Sequence, residues 1–332
     1  MTRFQPSRSA LALVIVAVSA ACRAPESTAV RFVPECDAAP HTTGMVLIPA
    51  GSYDRGDASG EGYADEQPVR RCRVDGFLMD RTEITWAHWN EVFAWAITNG
   101  YEFDASYQFH PDRSPEHPVC GVTWYDAVKW CNARSEREEL VPVYWTDPEQ
   151  TQVYRTGQVD LTEAMVRWES DGYRLPTETE WEWAARGGLE HQHFPWPSPG
   201  PDFLRYLDGS RANYWESGDP WESEADCATS PVGYFARTEP ATAQESQHGY
   251  GLVDLIGNVA EWCWDWYLED WYADPASAGL NPRGPGWGHG RVLRGGSWIS
   301  RPKYCRVSAR YMSAPHFRCH CYGLRCVRSL PP

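Results

Sequence analysis

The stretch RVLRGGSWISRPKYCRVSAR, residues 291–310, sets one cysteine, Cys305, behind a glycine pair and a serine. Such a thiol can be a nucleophile, a soft-metal ligand or one arm of a disulfide, and residue types leave all three open. Downstream, Cys319-His320-Cys321 adds two thiols and an imidazole, a set able to bind a soft metal beside Cys305. The simpler reading makes Cys319 and Cys321 disulfide arms with separate partners, one of them Cys305. A different chemistry lies in Asp254-Leu255-Ile256-Gly257-Asn258-Val259-Ala260-Glu261, two carboxylates seven apart with a turn between. Hard cations take several oxygen ligands of that kind. The competing reading is a plain turn whose backbone Asn258 satisfies.

The elements that must hold these groups are unusual in composition. The 332 residues are 42% hydrophobic, with 18 Trp and 17 Tyr. A core built from them rests on large rings with polar handles more than on aliphatic layers. With 27 Gly and 26 Pro, turns are frequent, which argues for a loop-rich fold over a helix bundle or a doubly wound sheet.

Residues 1–21 carry Arg3 and Arg8, an apolar run from Ala10 to Val18, and small residues before Cys22. This is the pattern of a secretory signal, and the run is shorter than the ~20 residues a bilayer span needs. Ser19-Ala20-Ala21-Cys22 resembles a bacterial lipoprotein box, with Cys22 as lipid anchor, so an exported, periplasmic or cell-surface lipoprotein is expected. Removing residues 1–21 takes away two arginines and no acid, so the net charge of −15 becomes −17. Such a chain is repelled by nucleic acid and anionic lipid, and suits bound cations. Contact with the membrane would come through the lipid alone.

Residues 22–41 are Ala/Pro-rich and read as a tether, leaving one domain over 42–330. MVLIPAG (45–51) and FLMDRTEIT (77–85) read as strands. Three helices are expected: one capped by Thr85 and stopping at Asn99-Gly100, one after Thr123 with Asp126 completing a capping-box-like pair, and one starting at Thr177. Thr177-Glu178-Thr179-Glu180 is a full capping box, and Gly187-Gly188 ends that helix. Arg174 and Glu182 could pair in the interior, although a solvated surface is the simpler reading of charged residues. From residue 189 onward turn signals dominate.

Seven phrases occur in order: GFLMDRTEIT (76–85), HPVCGVTWYDAVKWCNARSERE (117–138), GYRLPTETEWEWAARGG (172–188), HFPWP (193–197), RANYW (211–215), GYGLVDLIGNVAEWCWDWY (249–267) and RVLRGGSW (291–298). The chain resembles the formylglycine-generating enzyme family, also called sulfatase-modifying factors. The resemblance implies an α+β, C-type-lectin-like fold with little regular secondary structure, braced by disulfides.

The resemblance also implies sites. Calcium would be held by the side chains of Asp254 and Glu261 and the carbonyls of Gly257 and Val259. A second calcium would use Asn213, the Tyr214 carbonyl and an acid downstream, Asp226 or Glu224. Cys131 and Cys326 match positions bridged in animal members, so a Cys131–Cys326 disulfide tying the second helix to the last strand is expected. Active members carry two copper(I)-binding cysteines near the GGS turn, with which they activate dioxygen and oxidise a substrate cysteine. The second position is Cys305 and the first falls on Ser300, a hydroxyl ill suited to copper(I). If the chain is active, Cys305, Ser300 and Ser297 are the candidate catalytic residues and Trp298 helps shape the pocket. The substrate would be an exported protein or peptide. The alternative is a non-catalytic, calcium-stabilised binding module. Cys36–Cys72 is a further plausible bridge.

Overall fold

The computed structural model describes residues 44–104, 114–198, 202–221, 228–237 and 249–330. The expected signal, tether, Cys22 and Cys36 lie outside the described residues, as do Glu224, Asp226 and Cys227.

The amino-terminal part runs β1 (Met45–Ile48), β2 (Gly51–Arg55), β3 (Arg70–Val74) and β4 (Phe77–Asp80). Two long helices follow, α1 (Trp86–Thr98) and α2 (Trp124–Arg137), then β5 (Tyr173–Arg174) and α3 (Glu178–Arg186). After a one-turn α4 (Tyr234–Arg237), the chain continues through β6 (Ala260–Tyr267), β7 (Gly279–Leu280) and β8 (Gly290–Arg294). It closes with β9 (Tyr311–Ser313), β10 (Tyr322–Gly323) and β11 (Val327–Ser329). The strands form three small sheets, ordered β1-β4-β11-β5, β10-β6-β8-β9 and β2-β3-β7. β11 thus comes home between β4 and β5, closing the chain's end onto its beginning.

Helix starts follow local chemistry. Thr85, Thr123 and Thr177 each accept a bond from the backbone N–H three residues on, at 3.2, 3.0 and 3.1 Å. The Glu180 carboxylate in turn accepts from the Thr177 N–H at 2.9 Å, completing the capping box, and α3 ends at Gly187 with φ 56°. The reciprocal half of the expected Thr123–Asp126 pair, from the Asp126 carboxylate back to the cap, does not form. That carboxylate accepts from the Asp104 N–H at 3.1 Å and binds Arg318 at 2.7 Å, because a buried acid needs a cation more than the helix needs a second cap.

The core is aromatic, and three of its indole N–H groups reach carbonyls across the chain. Trp124 donates to Cys263 at 2.9 Å, Trp130 to Trp89 at 3.1 Å and Trp262 to Val122 at 3.1 Å. Trp89 and Trp130 stack with centroids 5.3 Å apart, joining α1 to α2.

Helix α3 is buried along its whole length against β2, β3, β6 and β8. A solvated surface for its charges is therefore wrong. Arg174 pairs with Glu180 at 2.6 Å, Glu182 with Arg294 at 2.6 Å and Arg186 at 2.7 Å, and Glu178 with Arg310 at 2.7 Å. Charges that lose water must find each other, and this network ties β8 to α3.

Candidate functional site

Strand β8 delivers Arg294 into that network, and the chain then turns through Gly295 and Gly296 with φ of 90° and 72°. Side chains rarely adopt those values, and there is no room for one: a Cβ on Gly295 would meet the Leu255 carbonyl at 2.8 Å. The next turn is closed by two serines. Ser300 Oγ accepts from the Ser297 N–H at 2.9 Å and lies 3.1 Å from Ser297 Oγ, while the Ser300 N–H donates to the Ser297 carbonyl at 2.8 Å.

Beside this turn opens a cleft of about 500 Å³, lined by Ser297, Ile299, Ser300, Tyr304, Tyr311 and Tyr322. Its wall also includes Cys319 and Cys321, which are joined to each other. Both earlier readings of Cys319-His320-Cys321 are thereby corrected, since neither sulfur is left for a metal or for Cys305. Cys305 is a thiol at 0% exposure, donating weakly to the carbonyls of Ser300 at 3.9 Å and Arg301 at 3.8 Å. Burial pushes its pKa up to about 12, against a smaller opposing pull from Arg306. At neutral pH it is protonated, and thiols act as nucleophiles or metal ligands only as thiolates.

The loop at 254–261 is fastened to the same turn. Asp254, Gly257 and Asn258 all have positive φ, of 55°, 78° and 56°. Gly257 presses on the Asn213 backbone so closely that a Cβ would come within 2.0 Å of its carbonyl oxygen. The Gly257 N–H donates to the Gly295 carbonyl at 3.0 Å, and the Trp298 N–H to the Asn258 carbonyl at 2.9 Å. The Asn258 N–H in turn bonds the Asn213 carbonyl at 2.8 Å, so residues expected at two separate cation sites lie side by side.

Glu261 has a role that spacing did not reveal. Arg325 grips it at 2.7 to 2.9 Å and Trp181 Nε1 donates to it at 2.6 Å, which engages both carboxylate oxygens. Asp254 accepts from the Gly233 N–H. Next to them Glu83 is buried, accepting from Asn258 Nδ2 at 2.7 Å and the Val259 N–H at 3.0 Å. Burial, then the charges of Asp254 and Glu261, hold its carboxyl well above the usual range, while Arg325 opposes this. Asp254, Glu261 and the Glu83 carboxyl thus crowd around one guanidinium, and the strained ionisation of Glu83 marks an environment short of positive charge. Among the described residues no three His, Cys, Asp or Glu side chains converge as a metal cage, so a cation here would lean on carbonyl oxygens. Glu83 had no sequence signal, since its partners are about 175 residues away.

At the second expected cation site, Asn213 Nδ2 donates to the Ala228 carbonyl at 2.6 Å. Tyr214 is buried with its hydroxyl donating to the Leu207 carbonyl at 3.1 Å. Cys131 and Cys326, expected as a disulfide, stand as two thiols in contact, their sulfurs 3.6 Å apart. Cys72 is a buried thiol facing the Ser277 carbonyl at 3.5 Å.

Residues 32–330 match the family model described as the sulfatase-modifying factor enzyme 1-like domain. The formylglycine-generating enzyme of Thermomonospora curvata is 34% identical over 307 residues, covering 86% of this chain and 93% of that one. That of Streptomyces coelicolor is also 34% identical, over 86% of this chain and 89% of its own length. Among solved structures, Treponema denticola variable protein 1 superposes with a TM-score of 0.63 at 28% identity, over 86% of this chain and 95% of that one. The ordered motifs, the loop-rich α+β fold and these likenesses agree: the chain belongs to the formylglycine-generating enzyme, or sulfatase-modifying factor, family.

Proposed function

We propose that this chain is an exported, calcium-stabilised binding module whose cleft takes a segment of a protein or peptide and does not run the family's copper oxidation. The observation that carries the reading is the pair Ser300 and Cys305. We read Ser300 as standing where family enzymes hold their first copper cysteine. A neutral hydroxyl is a poor copper(I) ligand. At the second position Cys305 is wholly buried and held as a thiol. The aromatic lining of the cleft suits a chain segment bound by ring contacts and a few polar groups.

Calcium fits the excess of carboxylate beside the cleft. Asp254 and the carbonyls of Gly257 and Val259 would hold it, with Glu261 shared with Arg325. Bound calcium would supply positive charge and rigidity to a loop bonded directly to the cleft wall. Export is supported by the signal-like leader, and a disulfide is at home in an oxidising compartment.

The test is incubation of the purified chain with copper(I), dioxygen and a Cys-X-Pro-X-Arg peptide. The reading expects peptide binding with no formylglycine formed. Conversion of that cysteine to formylglycine by the wild-type chain would sink it.

A further inference from the structure

We infer that the Cys319–Cys321 disulfide is a thiol–disulfide exchange site for a cysteine-bearing chain segment held in the cleft. Both residues line the cleft together with Ser297 and Ser300, Cys319 partly exposed and Cys321 buried. The bond closes a loop of a single intervening residue, which removes little freedom from the unfolded chain and makes a poor staple.

The local backbone is held without it. The Cys319 carbonyl accepts from the N–H groups of Gly121 at 3.0 Å and Tyr322 at 3.0 Å, and the Cys321 carbonyl from Ala260 at 2.8 Å. Trp298 Nε1 donates to the His320 carbonyl at 3.2 Å, so the exchanging residues are clamped to the cleft turn. The Cys321 N–H points at Cys319 Sγ at 3.3 Å, and a donor there favours the thiolate of the more exposed sulfur once the pair is reduced. The buried Cys305 takes no part.

The electron count closes within the cleft. A bound peptide thiolate attacks Cys319 Sγ, forming a peptide–Cys319 bond as the Cys319–Cys321 bond breaks. Cys321 leaves with the electron pair and takes a proton from water. A second peptide thiolate attacks the peptide sulfur of this mixed disulfide, releasing a peptide disulfide and Cys319 as thiolate. Two thiols are oxidised by two electrons and the protein pair is reduced by two. A small-molecule disulfide restores the pair by the reverse exchange.

This inference relies on the binding reading above only for its peptide substrate. The experiment treats the full chain with a cysteine peptide, its serine counterpart and a small monothiol, quenches with iodoacetamide, and maps adducts by mass spectrometry. The expected result is a peptide–Cys319 adduct in Cys321→Ser protein presented with the peptide as a disulfide. The adduct is lost in Cys319→Ser, and the melting temperature of the wild-type chain is unchanged on reduction of the pair. Binding of the serine peptide without any exchange overturns the inference and leaves the binding reading standing. Exchange with the monothiol but no binding of either peptide removes the binding reading and keeps the exchange site. A pair that resists excess thiol, or a fold that melts when it is reduced, makes the bond structural and ends the proposal.

Discussion

Gly296 lies directly over the Cys305 sulfur, so that a Cβ on the glycine would come within 2.7 Å of Sγ. The turn that walls the cleft is therefore also the lid that seals the thiol away from it. Because Gly296 has φ of 72°, a side chain meets both a disfavoured backbone and a filled space. Gly296→Ala should lose roughly 2 kcal/mol or more of unfolding free energy, read by urea denaturation. An unchanged midpoint would mean that the turn and the thiol are not packed as one unit.

Arg325 is the cation that keeps Glu261 and its neighbours tolerable in the interior. Removing it strands Glu261 at 1% exposure. Arg325→Met should cost about 3–5 kcal/mol, the penalty of an uncompensated buried charge, measurable as a drop in thermal stability. A loss well below that range would show that water reaches this carboxylate.

Stability should also depend on pH through Asp265. Burial and then the charge of Glu178 push its pKa from 3.8 up to about 7. The unfolded chain releases this proton near 3.8 and the folded chain near 7, so the native state holds an extra proton in between. Its contribution falls as pH rises through that window and is level above it. His88 works in the opposite sense, since burial lowers it from 6.5 to about 4 and its neutral form favours folding as pH rises. Asp265→Asn should remove the falling component alone, so its stability relative to wild type should increase between pH 4 and 7. A constant difference across that range would contradict the assignment.

Calcium at the 254–261 loop predicts a metal-dependent melting temperature. Chelation should lower it, and added calcium should restore it by the mass action of ligand binding to the native state. Asp254→Asn keeps a residue that tolerates the positive φ of 55° but removes the charge, and should abolish the response. A variant that still answers to calcium would move the site elsewhere.

What the sequence made legible was local or came in long ordered phrases. The threonine caps of α1, α2 and α3 could be read because their partners lie three residues away. The order of motifs carried the family and with it the fold. Partnerships across the chain were not legible, such as Glu178 with Arg310, 132 residues apart, or Glu83 with Asn258, 175 apart. Such pairs have no spacing rule, since only the folded interior decides which buried acid meets which arginine. For Cys319 and Cys321 the difficulty was different: ten cysteines would remain after Cys22, and composition alone cannot choose among their pairings. Only the fold brings those two together at the cleft wall and leaves Cys305 as a buried thiol behind the turn.

Copper(I) stoichiometry, measured by competition titration of the reduced wild-type chain and its Cys305→Ala variant, tests the central claim most directly. A binding module with a sealed Cys305 should give the same copper uptake in both, with no tight equivalent that depends on Cys305. One tightly held copper(I) per wild-type chain, lost in the variant, would contradict the account and return the cleft to oxidase chemistry.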